Sequence, residues 1–85
     1  MQMRGLKLND VVMALEEEGY LVDEPHTDED GDQVIDVYAD EDSQRILEMT
    51  FDKVNSYCVA YCFIQTGFTD NYVGHITATL EALNA

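Results

Sequence analysis

The chain has 85 residues, of which 18 are Asp or Glu and 4 are Lys or Arg, so its formal net charge is −14, yet 46% of it is hydrophobic. That length suits one domain, residues 1–85, since domains run on the order of 100 residues, and the apolar fraction is that of a globule rather than a disordered acidic tail. So negative a surface excludes direct binding to nucleic acid or anionic lipid, whose phosphates would repel it.

Arg4 and Lys7 precede no apolar stretch of the kind a signal peptide carries. No run approaches the roughly 20 apolar residues of a membrane span. The expectation is a cytoplasmic protein that engages no membrane. Leu8, Val11, Val12 and Leu15 then recur at i, i+3, i+4 and i+7, the apolar stripe of a helix. Asn9 is the expected N-cap, Asp10 suits the first turn, and Gly19 the left-handed stop. Glu16, Glu17 and Glu18 crowd the negative end of the helix dipole, each destabilising by roughly a few tenths of a kcal/mol.

Tyr20-Leu21-Val22 is a short apolar patch expected to fold the chain back onto the core. Residues 23–32 read as an acidic, turn-rich loop with Asp30-Gly31 as its strongest turn signal. From Gln33 to Asp40 the pattern alternates, with Ile35, Val37 and Ala39 on one face and Val34, Asp36, Tyr38 and Asp40 on the other. After a turn at residues 40–43, Arg45 to Phe51 alternates again: Leu47, Met49 and Phe51 inward, Ile46, Glu48 and Thr50 outward. Tyr57 to Gln65 is apolar on both faces, the pattern of a central strand or one covered on both sides. A last helix follows, capped by Thr69 or Asp70, with Val73, Ile76, Leu80 and Leu83 as its stripe and Gly74 weakening it by about 1 kcal/mol relative to Ala. The expected fold is α+β: a two-layer α-β-β-β-α sandwich with a three-stranded antiparallel sheet and two helices.

Little in the chain supports catalysis. Cys58 and Cys62 lie four residues apart on a strand, about 13 Å, beyond the ~7 Å a disulfide spans. Both are expected to be small buried hydrophobes in a reducing compartment. Asp28, Asp30 and Asp32 open like a calcium loop, but Gln33 stands where a Gly is needed and Ala39 where a bidentate carboxylate is needed. No metal site and no cofactor is therefore read. His26, in the acidic loop, and His75, off the apolar stripe of the last helix, are expected to be solvated or capping. No Ser or Cys has the context of an activated nucleophile, so the chain is read as a non-enzyme.

The charge is unevenly placed. Residues 10–52 hold 16 acids and one base, Arg45, a net of −15, whereas residues 53–85 hold Lys53, Asp70 and Glu81, a net of −1. Halophilic adaptation would spread acids over the whole surface, and the second half contradicts it. A merely solubilising face competes with a binding surface for a basic protein site, and the second reading is preferred. Its residues are Glu24, Asp28, Glu29, Asp30, Asp32, Asp36, Asp40, Glu41 and Asp42, with Tyr38 as a stiff contact among them. Carboxylates on one strand face recur in steps of ~6.6 Å, and duplex DNA offers one charge per ~1.7 Å of axis. A folded acidic surface can thus imitate nucleic acid toward a Lys/Arg groove.

In size and acidity the chain resembles the small phage-encoded nucleic-acid mimics: uracil-DNA glycosylase inhibitors, anti-CRISPR proteins and anti-restriction proteins. That resemblance implies a stoichiometric inhibitor in the cytoplasm of a bacterial host, bound to the basic nucleic-acid-binding surface of a CRISPR effector or other DNA-processing enzyme. Val11 to Tyr20, with its Gly19-Tyr20 exit, and Gly67-Phe68-Thr69-Asp70-Asn71-Tyr72 also resemble the opening and closing segments of the YbjN type, which shares the fold of type III secretion chaperones. This second resemblance implies an adaptor that binds proteins through its sheet or an apolar groove. The apolar outer face of the third strand leaves room for a homodimer interface.

Overall fold

A computed structural model describes residues 3–84. Helix α1 spans Leu8–Glu17 and buries Leu8, Val11 and Leu15, three of the four stripe residues, with Val12 packed partly buried beside them. Its start differs from the sequence expectation. Lys7, not Asn9, holds the cap position, and no side chain caps the helix. The first amide, that of Leu8, donates instead to Ser56 O at 3.0 Å, so pairing with the later chain replaces the cap. At the other end Gly19 takes a φ of +91°. Its amide donates to Glu16 O at 3.0 Å and that of Tyr20 to Leu15 O at 3.0 Å, the paired bonds of a Schellman stop.

The sheet has five strands rather than three: β1 Leu21–Val22, β2 His26–Thr27, β3 Gln33–Tyr38, β4 Arg45–Phe51 and β5 Cys58–Phe63. Every pairing among them is antiparallel. β1 and β2 are two halves of one edge lane along β3. Leu21 lies opposite Tyr38 and Val22 opposite Val37, then His26 opposite Val34 and Thr27 opposite Gln33. One extra residue is taken up between the halves, where Pro25 has no amide to donate. Two-residue strands are too short to show alternation, so the sequence presents the first as a chain reversal and the second as loop. β3 also stops at Tyr38, since Ala39 and Asp40 already bend into the turn.

A bulge explains the largest departure from simple alternation. Val37 pairs with Leu47 and Tyr38 with Arg45, which leaves Ile46 unmatched on β3. The bulge turns Ile46 into the core beside Leu47, and both are fully buried. Val34, expected outside, is buried as well, because the β2 lane flanks it on the side that the sequence leaves open.

β5 is an edge strand, not a central one: the lane order is β1-β3-β4-β5. Tyr61 and Phe63 pack against the core, whereas Val59, Ala60 and Cys62 are exposed. Both cysteines are free, but only Cys58 is the buried hydrophobe expected of the pair. Burial pushes the Cys58 thiol above its ordinary range.

Helix α2 runs Gly67–Glu81 and passes into a 3-10 turn at Ala82–Asn84. Its cap is Thr66, whose hydroxyl accepts from Thr69 N at 3.0 Å, not Thr69 or Asp70. Thr69, Ile76 and Leu80 are buried, while Leu83 falls in the exposed turn and leaves the stripe. Val11 and Leu15 of α1, Ile76 and Leu80 of α2, and Ile35, Val37, Leu47, Met49 and Phe51 of the sheet form one core. Both helices therefore cover the same sheet face. Among the described residues, no helix is long and apolar enough to cross a membrane.

Candidate functional site: the open acidic face of the sheet

The face turned away from the helices is charged along its β1, β3 and β4 lanes. Asp36 lies directly opposite Glu48, and Glu48 opposite Cys62. Asp23 extends the row on the other side, where its amide donates to Asp36 O at 3.1 Å. Adjacent lanes are about 4.8 Å apart, so three carboxylates stand in line at close spacing. Like charges facing each other across a sheet are destabilising. Arg45 offsets part of this, with one guanidinium nitrogen 3.2 Å from Asp36 Oδ1 and 3.3 Å from Glu48 Oε2.

Tyr38 joins the same face. Burial, a hydrogen bond to Asp23, and the negative charge of Asp23 and Asp36 all push its phenol above the ordinary range, with Arg45 opposing. Asp36 and Tyr38 are the two expected contact residues that the sheet brings together. Asp23 and Glu48 were missed. Alternation placed Glu48 outward, but only the register sets it against Asp36, and Asp23 joins only through an edge lane that the sequence conceals.

The remaining expected residues flank β3, a strand about 17 Å long. Glu24, Glu29, Asp30, Asp40, Glu41 and Asp42 are exposed, and Asp28 and Asp32 are half-buried. Several of these acids hold turns. Asp28 Oδ1 accepts from the amides of Asp30 and Asp32 at 2.9 and 3.0 Å. Asp32 Oδ1 accepts from Lys53 N at 3.0 Å, and Lys53 Nζ donates to Asp30 O at 3.0 Å. Asp40 Oδ1 accepts from Asp42 N at 2.9 Å. Carboxylate oxygens of Asp28, Asp30 and Asp32 lie within 4.8 Å of one another. Backbone amides of Asp30, Asp32 and Lys53 hold the Asp28 and Asp32 carboxylates in these turn positions. His26, expected in a loop, is an exposed residue of β2.

A separate cleft of about 370 Å³ lies between the end of α1 and α2, lined by Glu18, Tyr20, Asp40, Asn71, Tyr72 and His75 among others. His75 is exposed, as expected, but both of its ring nitrogens also find partners. Its Nδ1 lies 2.7 Å from the Tyr20 hydroxyl and its Nε2 3.3 Å from Glu18 Oε1. An imidazole protonated at Nε2 meets both contacts, accepting from Tyr20 and donating to Glu18. The order phenol–imidazole–carboxylate has the form of a nucleophile relay. Its electrostatics run the other way, since burial, Tyr72 and Glu18 raise the Tyr20 phenol and keep it protonated.

That shift fixes a pH dependence. A phenol whose proton is held more tightly in the folded state contributes stability that is complete below the unfolded value of about 10 and is lost as pH rises through the folded value. Urea unfolding above about pH 10 should therefore show a falling stability. In Tyr20→Phe that alkaline fall should be smaller, even though the variant starts about 1 kcal/mol lower at neutral pH through loss of the hydrogen bond. An unchanged alkaline limb in the variant would refute the assignment to Tyr20.

No family model matches the chain, and no curated protein and no solved structure matches it.

Proposed function

We propose that the protein is a non-enzymatic binding module whose acidic surface occupies the basic, nucleic-acid-binding site of a partner protein and blocks it stoichiometrically. A CRISPR effector or another DNA-processing enzyme in a bacterial cytoplasm is the target class that the compositional resemblance implies. One observation carries the reading. Asp23, Asp36 and Glu48 stand in a row across an open sheet face, with Arg45 as the shared cation of Asp36 and Glu48, and exposed acids extend the field beyond both ends of β3. A surface shaped by stability alone would not align like charges across strands. A positive groove would relieve that repulsion on docking, and long-range steering would speed the encounter.

The test uses variants that spare the fold. Glu24, Glu29, Glu41 and Asp42 are exposed, and none of their side chains is among the turn-holding acceptors described above. Immobilised wild type is challenged with bacterial lysate at about 50 mM salt, and captured proteins are eluted with duplex DNA. The expected captives are nucleic-acid-binding proteins that the duplex releases, with affinity falling more than about tenfold by 200 mM salt. The quadruple variant E24Q/E29Q/E41Q/D42N should melt as the wild type does and bind several-fold more weakly. Binding that ignores both salt and the four neutralisations would overturn the charge reading in favour of an apolar adaptor.

A further inference from the structure

The two edges of the sheet are built differently. Along β1 and β2, the interruption at Pro25 and the acids Asp23 and Glu24 block the approach of another strand. β5 has no such protection. From Val54 to Thr69 the chain carries no charged residue. The start of β5 is already paired on its outer side, where Gly5 N donates to Cys58 O at 2.9 Å and Cys58 N to Leu6 O at 2.8 Å. Further along, Ile64 N donates to Ile46 O at 3.0 Å, toward β4. Backbone groups alternate sides along a strand, so Cys62 also turns toward β4, while the amides and carbonyls of Tyr61 and Phe63 turn outward. Among the described residues these four groups have no backbone partner.

The edge is its own complement, since its four open backbone groups can be met by the same four groups of a second copy running antiparallel. Two copies of a chain carrying −14 repel each other over most of their surface, and the uncharged edge is where they can meet. We infer that β5 pairs antiparallel with β5 of a second copy, about a two-fold axis at Cys62. In that register Tyr61 faces Phe63 of the second copy and Phe63 faces its Tyr61, so all four outward groups on each side are bonded. Centring the axis on Tyr61 or Phe63 would leave Phe63 or Tyr61, respectively, without its counterpart. An axis at Cys62 runs perpendicular to the sheet. It joins the two sheets into one and keeps both acidic faces on the same side. The interface is independent of the proposed target, because it uses an edge that carries no charge.

Cys62 reports on the geometry. Opposed residues of a non-hydrogen-bonded antiparallel pair have Cα atoms about 4.5 Å apart, within the range of about 4.4–6.8 Å that a disulfide spans. Cys62 is exposed and Cys58 buried. Light scattering on the full reduced chain should give twice the 9.6 kDa protomer mass. High salt should tighten the dimer by screening the repulsion between copies, opposite to its effect on a basic partner. Diamide should then oxidise two Cys62 thiols to one intermolecular disulfide, taking up their two protons and two electrons, and mapping should find Cys62 alone in the bridge. Cys62→Lys places two cations face to face at the axis while setting each opposite Glu48 of its own chain. It should remain folded by circular dichroism and run as a monomer. A wild type that is monomeric at about 100 μM, a dimer that survives Cys62→Lys, or a dimer that diamide does not link through Cys62 would each overturn the inference.

Discussion

Replacing Phe51 by alanine is expected to destabilise the domain by about 3–5 kcal/mol, the largest effect of any single truncation here. Phe51 is fully buried and ends β4, where it faces Gln33 of β3 and Cys58 of β5. It belongs to the one core that both helices share with the sheet. The strands on either side are held by backbone ladders, so the walls of the cavity cannot close over it, and such sites sit at the costly end of the range. At about 0.05–0.15 kcal/mol per residue, a chain of this length has a total stability of only about 4–13 kcal/mol. Urea unfolding should show a much lower midpoint with an unchanged slope. Val54→Ala, at a position 86% exposed, should stay within about 0.5 kcal/mol of wild type. A loss below about 1 kcal/mol at Phe51 would mean that the core does not depend on this ring.

Phe51 also illustrates what periodicity conveys. Ile35, Val37, Leu47, Met49 and Phe51 alternate in sequence and all face the helices, because long strands with one buried face must write that face into every second residue. The helix stripes at Val11 and Leu15, and at Ile76 and Leu80, were legible for the same reason. Ile46 was not, because a bulge changes the facing of a residue without changing its identity. β1 and β2 were not, because two residues cannot alternate and because Pro25 signals a break while the lane continues past it. The doubly apolar pattern of β5 was legible but misread: hydrophobic residues on the outer face of an edge strand look the same in sequence as those of a buried one. On the acidic face, Asp36 and Tyr38 could be read from the alternation of a single strand. Asp23 and Glu48 required the pairing of three lanes, and no one-dimensional pattern carries a register. His75 was missed as a partner of Tyr20 because that contact joins residues 55 positions apart.

Arg45→Gln is expected to lower stability by about 1–2 kcal/mol at low salt while raising affinity for a basic partner. The guanidinium is the sole base between residues 10 and 52, and it serves Asp36 and Glu48 at once. Exposed pairs are worth about 0–1 kcal/mol, but the Asp36 side chain is only 14% exposed. Without Arg45 its charge faces Asp23 and Glu48 with less water to screen them. Leaving a partly desolvated carboxylate unpaired raises the loss toward the range of about 1–3 kcal/mol found for unsatisfied polar groups. Salt should restore much of the loss, since repulsion between carboxylates is what the variant exposes. Binding should respond in the opposite sense. With its internal cation gone, the face is one charge more negative, and a partner's Lys or Arg can occupy the place that Arg45 held, so affinity at about 50 mM salt should rise several-fold. Measured on one preparation, by urea unfolding and by titration with a captured partner, the two changes separate the roles of this residue. If stability and affinity fall together, Arg45 itself touches the partner. If neither moves, the row of carboxylates carries no repulsion to relieve, and the alignment of Asp23, Asp36 and Glu48 loses its meaning as a binding surface.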